Sequence, residues 1–212
     1  MARPPAIEED LQIPLVLNMQ SVRLTDDQFA HLCSDNRDIH FEMTAQGELL
    51  IMPPAYSETG WRNAKITQHL GNWTDRDGTG LSFDSSAIFK LPNGAKRAPD
   101  GAWISKSRWR ELRKEDRRKF APICPDFVIE LRSASDRLRN VRKKMEEYMS
   151  NGARLGWLLD ALENCATIYL PGKAPERAES PTILSGDPVL PGFRFDFREI
   201  LNPPEGFAQE PE

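Results

Sequence analysis

The chain has 212 residues, 39% hydrophobic and 28% charged, with 28 Lys+Arg against 32 Asp+Glu for a formal net charge of −4. These are the values of a globular chain of about one domain, and they exclude wholesale disorder. The acidic balance argues against a protein that coats nucleic acid through a basic surface, while leaving room for local contact.

Residues 1–20 mix Pro4, Pro5 and Pro14 with acids and read as an N-terminal extension; one domain is expected over 21–201 and a loose acidic tail over 202–212. The opening MARPPAIEED lacks a charged-then-apolar leader pattern, and no apolar run approaches a membrane span, so the expectation is a cytoplasmic protein with no membrane partner. Cys33, Cys124 and Cys165 are widely spaced without a C-x-x-C pair, which speaks against a disulfide framework or a zinc knuckle.

Thr25-Asp26-Asp27 followed by Phe29 and Leu32 predicts a short capped helix. IHFEM and LLIM, separated by a Gly-bearing turn and ended by Pro53-Pro54, predict an N-terminal β-hairpin. Ala64, Ile66, Leu70 and Trp73 recur at helical spacing from Ser57 to about residue 75, with Asp77-Gly78 as the stop. LSFDSSAIF, KRAPDGAWI and PDFVIEL read as three strands, and the charged stretch 105–120 between the last two reads as an exposed helix. A long helix is expected over 136–152, with Asp136 as N-cap and Asn151-Gly152 as stop. LGWLLD and CATIYL follow as strands around the turn 161–164; the Pro-rich stretch 171–192 then leads to FRFDF, whose alternation predicts a last half-buried strand.

Glu130 is the sharpest anomaly, because Phe127-Val128-Ile129-Glu130-Leu131 is otherwise an apolar, buried strand. Desolvating an unpartnered carboxylate costs several kcal/mol, so a compensating group is required. With period two, Asp126, Val128, Glu130 and Arg132 share one face and Phe127, Ile129 and Leu131 the other. A Glu130–Arg132 pair on a solvated face is one reading. The other needs a second acid from a neighbouring strand, and Asp100 in Ala98-Pro99-Asp100-Gly101 is the candidate, although Pro-Asp-Gly is also a turn signal. Two such acids can hold Mg²⁺, which keeps several waters and can serve phosphate chemistry.

A lysine would complete such a site. In the helix 136–152, Leu138, Val141, Met145, Tyr148 and Met149 form the apolar stripe. Lys144 falls roughly 90° from its centre and Lys143 nearly opposite, so Lys144 can reach toward the sheet, where it either serves the site or snorkels at a core boundary.

Taken together, APDG, PDFVIELRSASD, KKMEEYMSNGARLGWLLD and GELLIMPPAYSETGWRN resemble the restriction endonuclease family of the Uma type, a branch of the PD-(D/E)XK nuclease superfamily, from about Phe41 to Leu170. The resemblance implies an α/β restriction-endonuclease-like fold, a mixed β-sheet flanked by helices, and hydrolysis of DNA with Mg²⁺ or Mn²⁺. Asp100 and Glu130 would be the metal acids, with the Leu131 carbonyl a further ligand. The superfamily's usual lysine position holds Arg132, which clamps phosphate but cannot act as a base, and the lysine role falls to Lys144. Glu58 resembles an acid that some members place at the start of this helix; an acid in a first helical turn is also favoured by the helix dipole alone.

The segment 106–119 carries eight basic and three acidic residues around Trp109, which suits either a phosphate-gripping surface with a stacking tryptophan or a solvated helix with internal ion pairs. His31, His40 and His69 lack ligand spacing, Ser133 and Ser135 have no evident base, and there is no Gly-rich phosphate loop. Two readings follow: a metal-dependent endonuclease using Asp100, Glu130 and Lys144, or an inactive nuclease-fold module that binds nucleic acid or a protein. Cutting both strands of a duplex favours a homodimer, an expectation resting on the substrate and not on residues.

Overall fold

The computed structural model describes residues 14–201; the first part of the expected extension and the expected acidic tail 202–212 lie outside the described residues. Leu15–Asn18 form β1, an edge strand antiparallel to β3 (Glu48–Met52), so this part of the expected extension is built into a sheet. Between them lie α1 (Asp26–Asp35) and β2 (His40–Met43). Thr25 caps α1 through a reciprocal pair with Gln28, satisfying two donors that a helix start leaves free. β2 and β3 are the hairpin expected from their alternation.

The helix α2 (Ser57–Asp77) ends where Gly78 takes a φ of 70°, a left-handed value that glycine adopts without steric cost. Two of the three strands expected next are each broken in two. LSFDSSAIF divides into β4 (Gly80–Asp84) and β5 (Phe89–Lys90), and KRAPDGAWI into β6 (Lys96–Arg97) and β7 (Gly101–Ser105). Pro99 lacks the N–H a continuous ladder needs, so the chain leaves one sheet before Asp100 and enters another after it.

The charged stretch is helical only over α3 (Lys106–Glu111), with a 3₁₀ turn at Asp116–Arg118. Its Trp109 is half-buried against Phe83, with ring centroids 5.3 Å apart, and so is not a free stacking platform. Arg113 pairs with Asp116 at 2.7 Å within the segment. Beyond it come β8 (Phe127–Leu131), α4 (Leu138–Ser150), β9 (Leu155–Asp160) and β10 (Cys165–Tyr169). The Pro-rich stretch contributes β11 (Glu176–Glu179) and β12 (Ile183–Ser185), and β13 (Arg194–Asp196) closes the fold.

Two main sheets result, in the orders β1-β3-β2-β6-β5 and β11-β10-β9-β8-β7-β4. The second is mixed: β8 and β9 are parallel and joined by α4, and the other neighbours are antiparallel. The alternation of β8 sorts its two faces as expected. Phe127, Ile129 and Leu131 pack with Ile66, Leu70 and Trp73 of α2, while Val128 packs with Val141, Met145 and Tyr148 of α4. Each such apolar side chain contributes about 1.5–3 kcal/mol on burial. α4 lies so close to β9 that a Cβ on Gly156 would stand 2.5 Å from the Met145 methyl. Phe193, Phe195 and Phe197 cover the α2 side of the core.

Asp136 is not the cap of α4. Arg137 holds the N-cap position without a side-chain bond, and the Asp136 carboxylate accepts from the Ser133 N–H and hydroxyl, closing the loop that precedes the helix. No helix among the described residues is long and apolar enough to cross a membrane.

Candidate active site

β7 and β8 pair antiparallel with Gly101 opposite Ile129, so the register leads to Asp100 standing opposite Glu130, where side chains share a face. Asp100 is held at both oxygens: the Leu131 N–H donates to Oδ2 at 2.8 Å and Asn63 Nδ2 donates to Oδ1 at 3.0 Å. Asn63 comes from α2, so both layers flanking the sheet reach this point.

Glu130 is buried on the α4 side of the sheet, and two side chains of that helix compensate it. Lys144 Nζ lies 2.9 Å from Oε1 and 3.0 Å from Oε2, and the Tyr148 hydroxyl donates to Oε1 at 3.0 Å. Residues 144 and 148 are one helical turn apart, which sets both polar tips beside one carboxylate. Lys143 points outward and is exposed at the rim. The helix phase read from the apolar stripe therefore separates the two lysines correctly.

A third acid, which sequence reasoning missed, completes the cluster. Glu42 on β2 is 3% exposed; its Oε1 takes Lys144 at 2.7 Å and the Ala98 N–H at 2.9 Å, and its Oε2 takes Arg97 at 3.0 Å. Arg97 also donates to Glu147 at 2.6 Å. A signal was available in the sequence, since Phe41-Glu42-Met43 sets an acid among apolar residues just as β8 does.

The cluster opens into a groove of ≈ 890 Å³ whose lining includes Asp100, Glu130, Leu131 and Lys144 together with Val16, Ile39 and Tyr56. Burial, reinforced by the charges of Asp100 and Glu42 and opposed by Lys144, pushes the Glu130 carboxyl up to about 8. Burial likewise raises Asp100, against the opposing pull of Lys144, the Leu131 N–H and Asn63. Burial acts against the Lys144 charge, but Glu130, Glu42 and Asp100 outweigh it and hold the ammonium above its ordinary value. Acids thus outnumber the cations that serve them.

Asp126, on the same strand face, does not line the groove: it is fully buried, pairs with Arg108 at 3.0 Å and accepts the Ser105 N–H. Neither Arg132 nor Glu58 joins the cluster. Arg132 pairs with buried Asp160 at 2.7 Å, not with Glu130. Glu58 pairs with Arg62 one turn along α2, and that arginine in turn bonds the Ile200 carbonyl at 2.7 Å.

The donor set suits a hard divalent cation. It offers oxygens only, from Asp100 and Glu130, with Asn63 Oδ1 buried and without a hydrogen-bond partner among the described residues. Among the described residues, no three His, Cys, Asp or Glu side chains group in a way that could hold a metal; one or two carboxylates are what a Mg²⁺ ion usually takes from a protein.

No curated protein matches the chain. A crystal structure of a putative nuclease belonging to DUF820 from Anabaena variabilis superposes with a TM-score of 0.70 at 17% identity, covering 84% of this chain and 97% of that one, which establishes a shared fold. The sequence itself matches the Uma2 family, described as putative restriction endonuclease, over residues 26–198, and the chain belongs to that family.

Proposed function

We propose that the chain is a metal-dependent endonuclease that hydrolyses phosphodiester bonds in DNA, with Asp100 and Glu130 holding Mg²⁺ or Mn²⁺ and Lys144 assisting. The observation that carries this reading is the meeting of Lys144 from α4 with Glu130 of β8, beside an Asp100 tied to the Leu131 N–H. Family membership supports the reaction class. When bound, the cation supplies Lewis-acid activation of the attacking water and neutralises charge on the phosphate. The Leu131 carbonyl is a further candidate ligand at the groove wall.

The chain's own residues do the rest. Asn63 and the Leu131 N–H fix the Asp100 oxygens before any ligand arrives, so little reorganisation is needed on binding. Tyr148 and Lys144 orient Glu130. The Lys144 ammonium then stands where it can donate to the attacked phosphate and steady its developing charge. Arg132 has a structural role, since its guanidinium neutralises Asp160. We place the protein in the cytoplasm, which suits the three free thiols of Cys33, Cys124 and Cys165. A homodimer would present one such site to each strand of a duplex.

The test is incubation of plasmid DNA with the purified protein and Mg²⁺ or Mn²⁺, beside the Glu130→Ala variant. Nicking or linearisation by the wild type alone is expected. Cleavage that survives the substitution would put the chemistry elsewhere. A second reading, an inactive module that binds nucleic acid or a protein, is favoured by one observation: Lys144 and Tyr148 already occupy both oxygens of Glu130 without a cation. Salt-sensitive DNA binding with no cleavage by either form would select it.

A further inference from the structure

We infer that Glu42 is a positioning residue for Lys144: it holds the ammonium in the groove when Glu130 is given over to a cation. The inference rests on the nuclease reading of the same site and adds a function for a carboxylate that reading does not use.

An ammonium has three N–H donors, and those of Lys144 meet Glu42 at 2.7 Å, Glu130 at 2.9 Å and the Ala98 carbonyl at 3.1 Å. A cation on Glu130 competes for the electrons of that carboxylate and repels the ammonium beside it. With Glu130 as its sole anionic partner, Lys144 would then be driven toward solvent on a flexible four-carbon stem. Glu42 supplies the second anchor, on the shortest of the three contacts.

Glu42 is poorly suited to be a third metal acid, because the buried Arg97 guanidinium faces it as well as the Lys144 ammonium, and both would repel a metal ion there. Oε1 accepts from Ala98 N–H and Lys144, and Oε2 accepts from Arg97. Arg97 is itself fixed by Glu147. The anchor is thus held by a buried guanidinium and a backbone N–H contributed by residues 97 and 98, just before Asp100. The N-terminal hairpin would therefore be part of the catalytic apparatus, since β2 brings the carboxylate that keeps the lysine of α4 in place.

The experiment compares wild type, Glu42→Gln, Lys144→Ala, the double variant and Glu147→Gln, each by three measurements. Mn²⁺ affinity by calorimetry is expected to be retained in Glu42→Gln, because the carboxylate removed is not a proposed ligand, and to be lost in a variant that removes Asp100 or Glu130. Reactivity of the Lys144 amine toward an acylating reagent with Mn²⁺ present, read by mass spectrometry, should rise above wild type in Glu42→Gln, because the ammonium has lost its anchor. It should stay near wild type in Glu147→Gln, which perturbs the same arginine without touching the lysine. Single-turnover cleavage should fall about ten- to a hundredfold in Glu42→Gln, and the double variant should be no slower than Lys144→Ala.

Additive losses in the double variant, unchanged amine reactivity, or a collapse of Mn²⁺ affinity in Glu42→Gln would each overturn the positioning role. A wild type that does not cleave overturns the nuclease reading instead, and the amine-reactivity comparison still decides the part played by Glu42.

Discussion

The carboxylate of Asp100 accepts the backbone N–H of Leu131 at 2.8 Å, so the first acid of the site is fixed by the peptide that follows the second. That bond ties Asp100 to β8 and so resists any shift of β7 against β8 that would part the two acids. Asn63 holds the other oxygen of Asp100 from the opposite side of the sheet, at 3.0 Å.

Asn63→Ala is therefore expected to weaken Mn²⁺ binding by about ten- to a hundredfold, the usual cost of losing a residue that orients a ligand. Isothermal titration measures it. An unchanged affinity would mean that Asp100 is not a metal acid or that the Leu131 N–H alone suffices.

The neighbouring lysines of α4 should separate in function. Lys144→Ala is expected to slow cleavage by about a hundredfold or more, in line with removing one preorganised donor to a developing charge. Lys143→Ala, which changes an exposed side chain at the rim, should leave the rate within a factor of about two to three. Equal losses from the two variants would contradict the assignment.

This distinction was legible in the sequence because a helix converts spacing directly into direction, and Val141, Met145 and Tyr148 are indeed its buried residues. The faces of β8 were legible for the same reason, with a period of two. For Glu42 the acid set between Phe41 and Met43 signalled burial, but its place in the cluster was not legible. Its partners Arg97 and Lys144 are far away in the chain, and which sheet a hairpin joins is not a local property. The break within KRAPDGAWI was signalled by Pro99, but the alternation on either side of it suggested continuity. In the charged stretch 105–120, Arg108 is drawn to the buried Asp126 outside it and Arg117 folds back on the Leu112 carbonyl within it, partners that a count of charges does not reveal.

Arg132 should matter for stability more than for turnover. Arg132→Ala leaves Asp160, 2% exposed, without its cation, and breaking a buried pair from one side costs about 3–5 kcal/mol. Denaturant unfolding measures the loss, and the cleavage rate per folded molecule should change little. A stable variant with no activity would return Arg132 to the site.

The raised Glu130 carboxyl gives a pH dependence of definite sign. Between its ordinary value of 4.5 and about 8, the folded chain keeps a proton that the unfolded chain has released. Stability of the metal-free protein should therefore fall as pH rises through that window, and Glu130→Gln should flatten the fall. Glu42 is held below its ordinary 4.5, because Lys144 and Arg97 outweigh its burial, so its contribution is lost only on acidification below that window. Thermal unfolding at several pH values, with and without Mn²⁺, tests this. The cation must displace the Glu130 proton, so its stabilising effect should grow from about pH 6 to about pH 8. A metal-free stability that rises across the same range would contradict the assignment.

The most direct measurement is anomalous diffraction from a crystal soaked in Mn²⁺. One peak bonded to an oxygen of Asp100 and an oxygen of Glu130, at about 2.0–2.2 Å from each, is the expected result. A peak that touches neither carboxylate, in a protein that cuts DNA, would contradict the site.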